Sequence, residues 1–378
     1  MGNTAKRGLN RLMVLIQVAL FIGACAWAGV LMGMGGIFRH GPFVSVLLVT
    51  VLIMLATLIH EAGHWLGARL AGMPVLQVQV FHLAIQPQRR GLRVRLKGVP
   101  RSLGLSGYVF AAQRPDQPVR ESLLLFVVMG PLANLIAAAL CLILAVLGGS
   151  LIGVLPGFAL INLGMGLANL VPTWGRSQSD GFKLLTWWRR PDQNAADLAY
   201  TRLLAHYVAG VPAERLAVED IQALAEQPMP MPLIALSYQI YARQALEDWP
   251  GIQQLDSALQ AMLDAHSKQL LPVATSIAIM QRDLAYSRAY YTQDASALDA
   301  YGRNRDVDWF APSLAPRCDA LRAALQGDVP SMERHLAKAL QLARNHVAGG
   351  YAALEEQLAT QIRERARTHP AEAQPAVA

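Results

Sequence analysis

Two histidines and a glutamate lie near the end of a long apolar run, in the stretch "LIHEAGHWLGARLAG" of residues 58–72. His60 and His64 are four residues apart, so a helix would place both imidazoles on one face, where they can bind one zinc ion. Glu61 is then placed to act as a general base on water, as in the H-E-x-x-H pattern. The alternative is a pair of packed histidines, with Glu61 paired to Arg69. Ionisable groups at membrane depth are costly and functional by default, so the depth of this run decides between the two.

Four apolar segments are long enough to cross a bilayer, which takes about 20 apolar residues. They cover roughly residues 12–34, 42–70, 123–147 and 151–171. The first is longer than the apolar core of a signal peptide, so we interpret it as a retained helix. The composition agrees, because 53% of the 378 residues are hydrophobic and only 16% are charged. The three cysteines are far apart, which argues against a disulfide framework and a cysteine metal site.

Basic residues flank these segments on alternate sides. They cluster before the first segment, between the second and third, and after the fourth, whereas the two other connections carry only Arg39. The charges predict four crossings with both termini and the basic 73–120 segment in the cytoplasm, in a bacterial inner membrane. We interpret the net charge of +7 as this orientation signal with anionic-lipid contact. We expect no nucleic-acid partner, because no basic patch is interleaved with aromatic residues.

A catalytic zinc site needs a third protein ligand and an open position. Leu70 stands where a metzincin has its third histidine, and no glutamate occurs between Trp65 and Arg120. His82 lies in strand-like sequence and Asp116 in a polar loop, which makes both weaker candidates.

The stretch "ANLVPTWGRSQSDGFKLL" offers better candidates, where the fourth segment reaches the cytoplasmic side. Asn169 lies about 27 Å below the outer end of this segment, and His60 lies at the same depth in the second. Asp180 follows in turn-rich sequence and could fold back to the metal.

With these residues in view, the chain resembles the site-2 protease family of intramembrane zinc metalloproteases. "HEAGH" lies in an apolar helix, "GPLAN" at 130–134 resembles the family's G-P-x-x-N, and "NLVP…SDG" resembles its N-x-x-P…D-G. "LSGYVF" at 105–110 resembles the G-Y-V segment of the family. Order and spacing agree over roughly residues 42–190. One departure is the ten residues between Asn169 and Asp180, more than the family usually has, with "SD" in place of "LD".

The resemblance implies one zinc ion per chain and regulated intramembrane proteolysis of membrane protein substrates, with cleavage in or near their transmembrane segments. The third ligand would be Asp180 beside His60 and His64, with Glu61 as the base. Asn169 would contact the oxyanion or substrate backbone, or else satisfy backbone groups at a helix end.

Asn134 either packs with Gly130 or contacts substrate. Small and polar residues commonly mediate contact between membrane helices, which favours the packing interpretation.

Residues 73–99 alternate in the manner of strands, with "RRG" at 89–91 as a hairpin turn. A sheet beside the site could offer an edge to an unwound substrate, because a helix hides its own backbone. The alternative is a hairpin at the lipid surface with solvated arginines.

The region from residue 191 to 366 is predicted to be a separate cytoplasmic helical domain. Two helix–turn–helix stretches carry aspartates 34 residues apart, Asp294 and Asp328, which is the tetratricopeptide period. Such arrays bind peptides or protein partners, whereas the alternative is a plain helical bundle. Residues 367–378 are expected to be disordered.

The predicted fold is therefore mainly α: a polytopic membrane protein with about four transmembrane helices, a small membrane-associated β segment and a C-terminal α-helical repeat-like domain. The proposed divisions are residues 1–41, a core at 42–190 with its β insertion at about 73–110, the helical domain and the tail. Two functions stay open, an active zinc metalloprotease and a non-catalytic membrane scaffold that binds partners through its helical domain.

Overall fold

The computed structural model describes residues 3–96, 107–175, 178–189, 195–267, 269–300 and 302–368, with side chains from residue 7 onward. Several features of the sequence lie outside these ranges: Lys97, Arg101, Leu105, Arg176, Arg190, Pro191 and most of the predicted tail. The chain divides into two compact units, one of residues 1–86 with 92–193 and the other of residues 87–91 with 194–378.

Five helices build the first unit: α1 (Asn3–Met34), α2 (Pro42–Leu70), α3 (Val119–Leu147), α4 (Val154–Leu170) and α5 (Asp180–Arg189). Within the described residues, three helical stretches are long and apolar enough to cross a membrane: Arg7–Met34, Pro42–Leu70 and Val119–Leu147. The fourth predicted segment forms α4, an apolar helix of 17 residues that begins after Gly153, whose φ is +108°. This architecture confirms the prediction of a mainly α, polytopic membrane chain.

Glycines set how closely these helices approach one another. A Cβ built on Gly63 of α2 would lie 2.3 Å from the carbonyl oxygen of Met129 in α3. One built on Gly164 of α4 would lie 2.3 Å from the Cβ of Ala24 in α1. Small residues commonly allow such backbone contact between membrane helices. The α2–α3 crossing lies where the two histidines stand, so the close approach also brings α3 to the candidate site.

A small antiparallel sheet follows α2, with the strand order β3-β2-β1-β4. The strands are β1 (Val75–Val80), β2 (Leu83–Pro87), β3 (Leu92–Leu96) and β4 (Gly107–Ala111). The predicted turn at 89–91 joins β2 to β3, and Gly91 has the positive φ of +88° that such a turn needs. A second turn at Phe81 and His82, which the alternation did not reveal, separates β1 from β2.

The two faces of this sheet differ in polarity. Gln77, Gln79 and Gln86 are buried, and Gln77 Nε2 donates to the Tyr108 hydroxyl at 2.6 Å. By contrast, Val94 and Leu96 of β3 are 58% and 81% exposed. The exposed apolar row of β3 suits contact with lipid, while Arg93 and Arg95 between these residues are half-buried.

Nine α-helices are described in the second unit: α6 (Ala199–Ala209), α7 (Val218–Ala225), α8 (Met231–Ala245), α9 (Trp249–His266), α10 (Ala274–Thr292), α11 (Arg305–Phe310), α12 (Leu314–Leu325), α13 (Val329–Asn345) and α14 (Gly349–Thr368). One apolar core runs through them. The last helix, α14, contacts both α6 and α8. The described helices therefore close on themselves, whereas an open solenoid keeps its first and last repeats apart.

Aspartate caps divide successive helices of this unit. Asp248 and Asp328 each precede an x-Pro pair and accept a hydrogen bond from the backbone N–H three residues on, which starts α9 and α13. Asp294, the partner that the sequence suggested for Asp328, caps only a short 3₁₀ turn at 295–298. The better internal match in helix-cap structure is thus between the α8–α9 and α12–α13 hairpins.

Candidate metal centre

Three potential metal ligands converge where α2 meets the start of α5. His60 Nε2 lies 3.0 Å from Asp180 Oδ2, His64 Nε2 lies 3.2 Å from the same oxygen, and the two imidazole nitrogens are 3.2 Å apart. All three residues are buried. Among the residues that the structure describes, this is the one group of three or more histidine, cysteine or acidic side chains close enough to hold a metal ion. The structure therefore brings Asp180 to the H-E-x-x-H helix across 120 positions of sequence.

The Nδ1 atoms of both histidines make hydrogen bonds that orient the imidazole rings and their Nε2 lone pairs. His60 Nδ1 lies 2.7 Å from Asn134 Oδ1, and His64 Nδ1 lies 3.0 Å from the carbonyl oxygen of Phe126. Both partners are acceptors, so each imidazole carries its proton on Nδ1 and turns a bare Nε2 inward. Two nitrogen lone pairs and a carboxylate oxygen thus face one another. Three such acceptors repel one another, and a metal cation between them would relieve that repulsion.

The spacing of these atoms fits zinc. With zinc–nitrogen and zinc–oxygen bonds of about 2.0–2.1 Å, two ligand atoms of a tetrahedral site lie about 3.3 Å apart. The observed distances of 3.0, 3.2 and 3.2 Å are within a few tenths of an ångström of that edge. Three protein ligands leave the fourth tetrahedral position for water or substrate, as in catalytic rather than structural zinc sites. The residues present therefore fit the metal that the sequence predicted.

Asn134 is held rigidly behind His60. It is fully buried, and its Nδ2 donates to the carbonyl oxygen of Ala56 and to Asn162 Oδ1, both at 2.9 Å. These two contacts leave Oδ1 as the acceptor toward His60. Asn162, in turn, donates to the carbonyl oxygen of Phe158 in its own helix. These contacts favour a role in orienting the imidazole over the substrate or oxyanion contact considered from the sequence.

Glu61 points to the neighbouring sheet. It is buried, and its Oε2 has no hydrogen-bond partner among the described residues. A Cβ built on Gly107, the first residue of β4, would lie 2.8 Å from Glu61 Oε1. Glycine at that position therefore leaves the room that the carboxylate occupies. A buried carboxylate oxygen without a protein donor is suited to take a proton from water.

Two further glycines explain how the ligands fit together. A Cβ on Gly130 of α3 would lie 2.3 Å from His64 Nε2, so this glycine leaves the space for the imidazole. A Cβ on Gly181 would lie 1.9 Å from the carbonyl oxygen of Leu170, the last residue of α4. That contact lets the first turn of α5 reach the end of α4. The glycines of "GPLAN" and "SDG" are thus both needed, because a side chain at either position would clash with His64 or with the end of α4.

Ser179 connects the residue before Asp180 with the residues that follow α4. Ser179 Oγ accepts hydrogen bonds from the N–H groups of Thr173 at 2.9 Å and Phe182 at 3.2 Å, and it donates to the carbonyl oxygen of Val171 at 2.6 Å. The bond from Phe182 makes Ser179 the N-cap of α5. Ser179 therefore has a local role, because it binds the backbone of Val171 and Thr173 and caps the helix that begins at Asp180.

Lys183 holds the second oxygen of the Asp180 carboxylate. Its Nζ lies 3.3 Å from Asp180 Oδ1, while Oδ2 faces the histidines. The positive charge of Lys183 favours the ionised form of the Asp180 carboxyl. Asp180 can therefore offer Oδ2 to a metal ion while Oδ1 stays with the lysine.

Asn169 lies at the end of α4 and donates through Nδ2 to the carbonyl oxygen of Met165 in its own helix, at 3.0 Å. This is the helix-end contact that the sequence left open. An amide nitrogen has two hydrogens, so one remains for another acceptor.

Several contributors were not identified from the sequence: Asn162, Lys183, Ser179, Gly107 and the carbonyl of Phe126. Asn162 gave the clearest available signal, as an amide within an otherwise apolar helix.

Comparison with known proteins bears on the same segment. Residues 48–151 match the model of peptidase family M50, a range that holds both histidines, Glu61 and Asn134 and ends before Asp180. Neither the comparison with curated proteins nor that with solved structures found a match. The family match and the three helices of spanning length identify an integral membrane protein. Within this membrane core, residues 48–151 are thus similar to peptidase family M50, the site-2 protease family.

Proposed function

We propose that this chain is an intramembrane zinc metalloendopeptidase that hydrolyses peptide bonds in or near the transmembrane segments of membrane protein substrates. The observation that carries the proposal is the triangle of three lone-pair atoms from His60, His64 and Asp180, with the carboxylate of Glu61 beside it. The match to family M50 gives independent support, because the family consists of metalloproteases.

The chemistry divides between the metal and the protein. Zinc held by the three ligands supplies Lewis acidity, which polarises a peptide carbonyl and makes water more acidic. Glu61 takes the proton of the attacking water, because its buried Oε2 has no competing protein donor. The protonated Glu61 then gives this proton to the departing amine, so that one carboxylate serves as base and acid in turn. Burial of the site excludes bulk water from these transfers.

Two neighbouring groups orient the ligands in this proposal. Asn134 and the Phe126 carbonyl accept the Nδ1 protons of His60 and His64, which keeps both Nε2 atoms directed at one point. Asn169 has a second Nδ2 hydrogen for the oxyanion or the substrate backbone.

The substrate must expose a peptide bond, and the sheet suggests how. Among the described strands, β4 pairs only with β1 and so lies at one side of the sheet. Its first residue, Gly107, lies against Glu61. A segment of substrate that unwinds and adds to β4 as a further strand would pass close to the catalytic base. Backbone hydrogen bonds would then hold a substrate with little dependence on its sequence.

The helical domain, about residues 191–366, is proposed to recognise substrates or a regulator instead of taking part in catalysis. The described residues of this region contain no second cluster of potential metal ligands. A protein partner would then decide which membrane proteins are cut. The scaffold function considered from the sequence would keep this binding and dispense with the metal.

The function is tested with purified chain in lipid nanodiscs and a library of single-span membrane peptides. Wild type should cleave some of these peptides, and a chelator should stop cleavage. Glu61→Gln keeps the size of the side chain and should abolish cleavage while zinc stays bound. If Glu61→Gln cleaves at the wild-type rate, Glu61 is not the base. If wild type binds no zinc and cleaves nothing, the scaffold function replaces the enzyme.

A further inference from the structure

Two polar side chains of α1 bind the loop that leads to Asp180. Asn10 makes two hydrogen bonds with the backbone of Trp174. Its Nδ2 donates to the Trp174 carbonyl oxygen, and its Oδ1 accepts from the Trp174 N–H at 2.9 Å. Gln17 Oε1 accepts from the Thr173 hydroxyl at 3.2 Å. Asn10 and Gln17 are seven residues apart, so they lie on one face of the helix, two turns from each other. Neither lies within the range that matches family M50.

The contact between Gln17 and Thr173 continues to Asp180 through Ser179. Thr173 is buried, and its backbone N–H donates to Ser179 Oγ while its carbonyl oxygen accepts from the Ser179 N–H at 3.1 Å. Ser179 directly precedes Asp180. A displacement of Thr173 would therefore be passed to the ligand through two hydrogen bonds and one peptide unit.

The contact between Asn10 and Trp174 continues to α5 through Phe182. The ring of Trp174 packs on that of Phe182, with 5.7 Å between the ring centroids. Phe182 is two residues beyond Asp180 in α5. Asn10 thus fixes the backbone of the residue whose side chain supports the first turn of α5.

The helix that provides these contacts is itself anchored along α4. The Gly153 N–H donates to the carbonyl oxygen of Leu31 at 2.8 Å, near the opposite end of α1. Gly157 lies against Met32 and the carbonyl of Ala28, where a Cβ would come within 2.6 Å of the methionine methyl carbon. With Gly164 against Ala24, these contacts run along α4 from its first residues to Gly164. Such close packing leaves α1 little freedom to slide, so it can serve as a fixed support.

We infer that α1 positions the third zinc ligand: Asn10 and Gln17 are positioning residues that hold Trp174 and Thr173, whose contacts with Phe182 and Ser179 keep Asp180 beside His60 and His64. This inference rests on the proposed zinc site. It gives α1 a specific part in the metal centre, although no atom of α1 is a ligand. It also accounts for how a loop longer than the family's usual one can still place the aspartate.

The test measures metal binding in the full chain with Co²⁺, whose visible spectrum reports coordination geometry. Asn10→Ala and Gln17→Ala should each lower the zinc affinity about tenfold, which is in the range found for residues that orient ligands. The double variant should lower it further. The Co²⁺ spectrum of the double variant should shift from the tetrahedral pattern of wild type. Arg11→Gln, at the exposed neighbouring position of the same helix, should change neither quantity.

Conservative variants separate positioning from a general effect on folding. Gln17→Glu keeps an acceptor for Thr173 and should retain zinc affinity, whereas Thr173→Val removes the hydroxyl at constant shape and should match Gln17→Ala. Thr173→Ser keeps the hydroxyl and should therefore keep the zinc affinity of wild type. An unchanged spectrum and affinity in the double variant and in Thr173→Val would overturn the inference and leave the zinc site standing. Failure of wild type to bind either metal would instead overturn the proposed function.

Discussion

At the scale of residues, the spacing of chemical groups predicted more than their types alone. His60, Glu61 and His64 follow from the helical period, because positions four apart share a face whatever the rest of the fold does. The pairing of His60 with Asn134 spans 74 positions and depends on how α2 crosses α3, which no local pattern describes. Lys183 counted in the sequence only as a positive charge after the fourth segment, because its i,i+3 pairing with Asp180 follows only once α5 is known to begin at residue 180.

Lys183 gives a prediction at this scale. Its ammonium holds Asp180 Oδ1, so Lys183→Ala should leave that oxygen free to turn toward the metal or water and should lower zinc affinity by roughly tenfold. Lys183→Arg should keep most of the affinity, because it preserves the charge. Competition with a chelator of known strength measures the effect. Arg189→Ala, at the end of the same helix, is the control, and equal affinities in the two alanine variants would contradict the role of Lys183.

At the scale of elements, close approach decides where the ligand helix begins. α5 can start beside α4 only because residue 181 has no side chain, and Ser179 caps the helix at that point. Ten residues separate Asn169 from Asp180, more than the resemblance led us to expect. The hydrogen bonds of Ser179 with Thr173 and Val171 hold the residue before Asp180 close to the end of α4 despite this longer spacing.

Gly181→Ala tests the approach of α5 to α4. The added methyl group would meet the Leu170 carbonyl oxygen at 1.9 Å, so backbone has to move and Asp180 moves with it. We expect zinc binding to fall to a small fraction of the wild-type level while the membrane helices stay folded. Gly23→Ala in α1 is the matched control, since no atom lies within 4 Å of its added carbon. The two variants are compared by zinc content and circular dichroism. Full zinc in Gly181→Ala would show that the contact is dispensable.

A buried ion network joins three helices of the second unit. Arg317 of α12 pairs with Glu355 of α14, at 3.2 Å, and with Asp283 of α10. Burial raises the pKa of both carboxyl groups, while the charge of Arg317 lowers it. Since the folded pKa values remain above the unfolded ones, the native state holds protons longer as pH rises. These two groups therefore make the unit less stable with rising pH, from about pH 4 upward.

Arg317→Met should make this pH dependence steeper. It removes the charge that lowers both pKa values and leaves two buried carboxylates unpaired, which costs about 3–5 kcal/mol near neutral pH. The variant should regain part of its free energy of unfolding as the pH falls toward 5, because protonation then removes the buried charges. Urea denaturation of the full chain at pH 7.5 and pH 5 measures it, with the more exposed Arg322→Met on the same helix as control. An equal loss at both pH values would contradict the account.

At the scale of the whole molecule, the apolar segments were predicted well and their packing was not. The second span begins and ends at the predicted residues, because Pro42 starts it and Gly72 follows its last turn. The third begins four residues earlier than its apolar stretch, since a helix can extend through polar residues once Pro118 has started it. Closure of the second unit by α14 against α6 and α8 could not be foreseen, because helical period identifies an apolar face and leaves its partner unspecified.

Topology follows from the distribution of charge and is tested directly. In a variant without its three native cysteines, single cysteines at positions 2, 40, 90, 149 and 370 should report inside, outside, inside, outside and inside to an impermeant reagent. The basic segment between the second and third spans determines this order. Labelling of position 90 from outside would reverse the predicted orientation and would open the site to the other side of the membrane.

The zinc content of the purified chain decides whether His60, His64 and Asp180 form a metal centre. Wild type should carry about one zinc ion per chain, as a site with three protein ligands requires. His60→Ala with His64→Ala should carry none, and Asp180→Ala should lose most of it. Glu61→Gln should keep the full amount, because Glu61 is not a ligand in this account. Stoichiometric zinc in the double histidine variant, or none in wild type, would contradict the claim that these residues form a zinc centre.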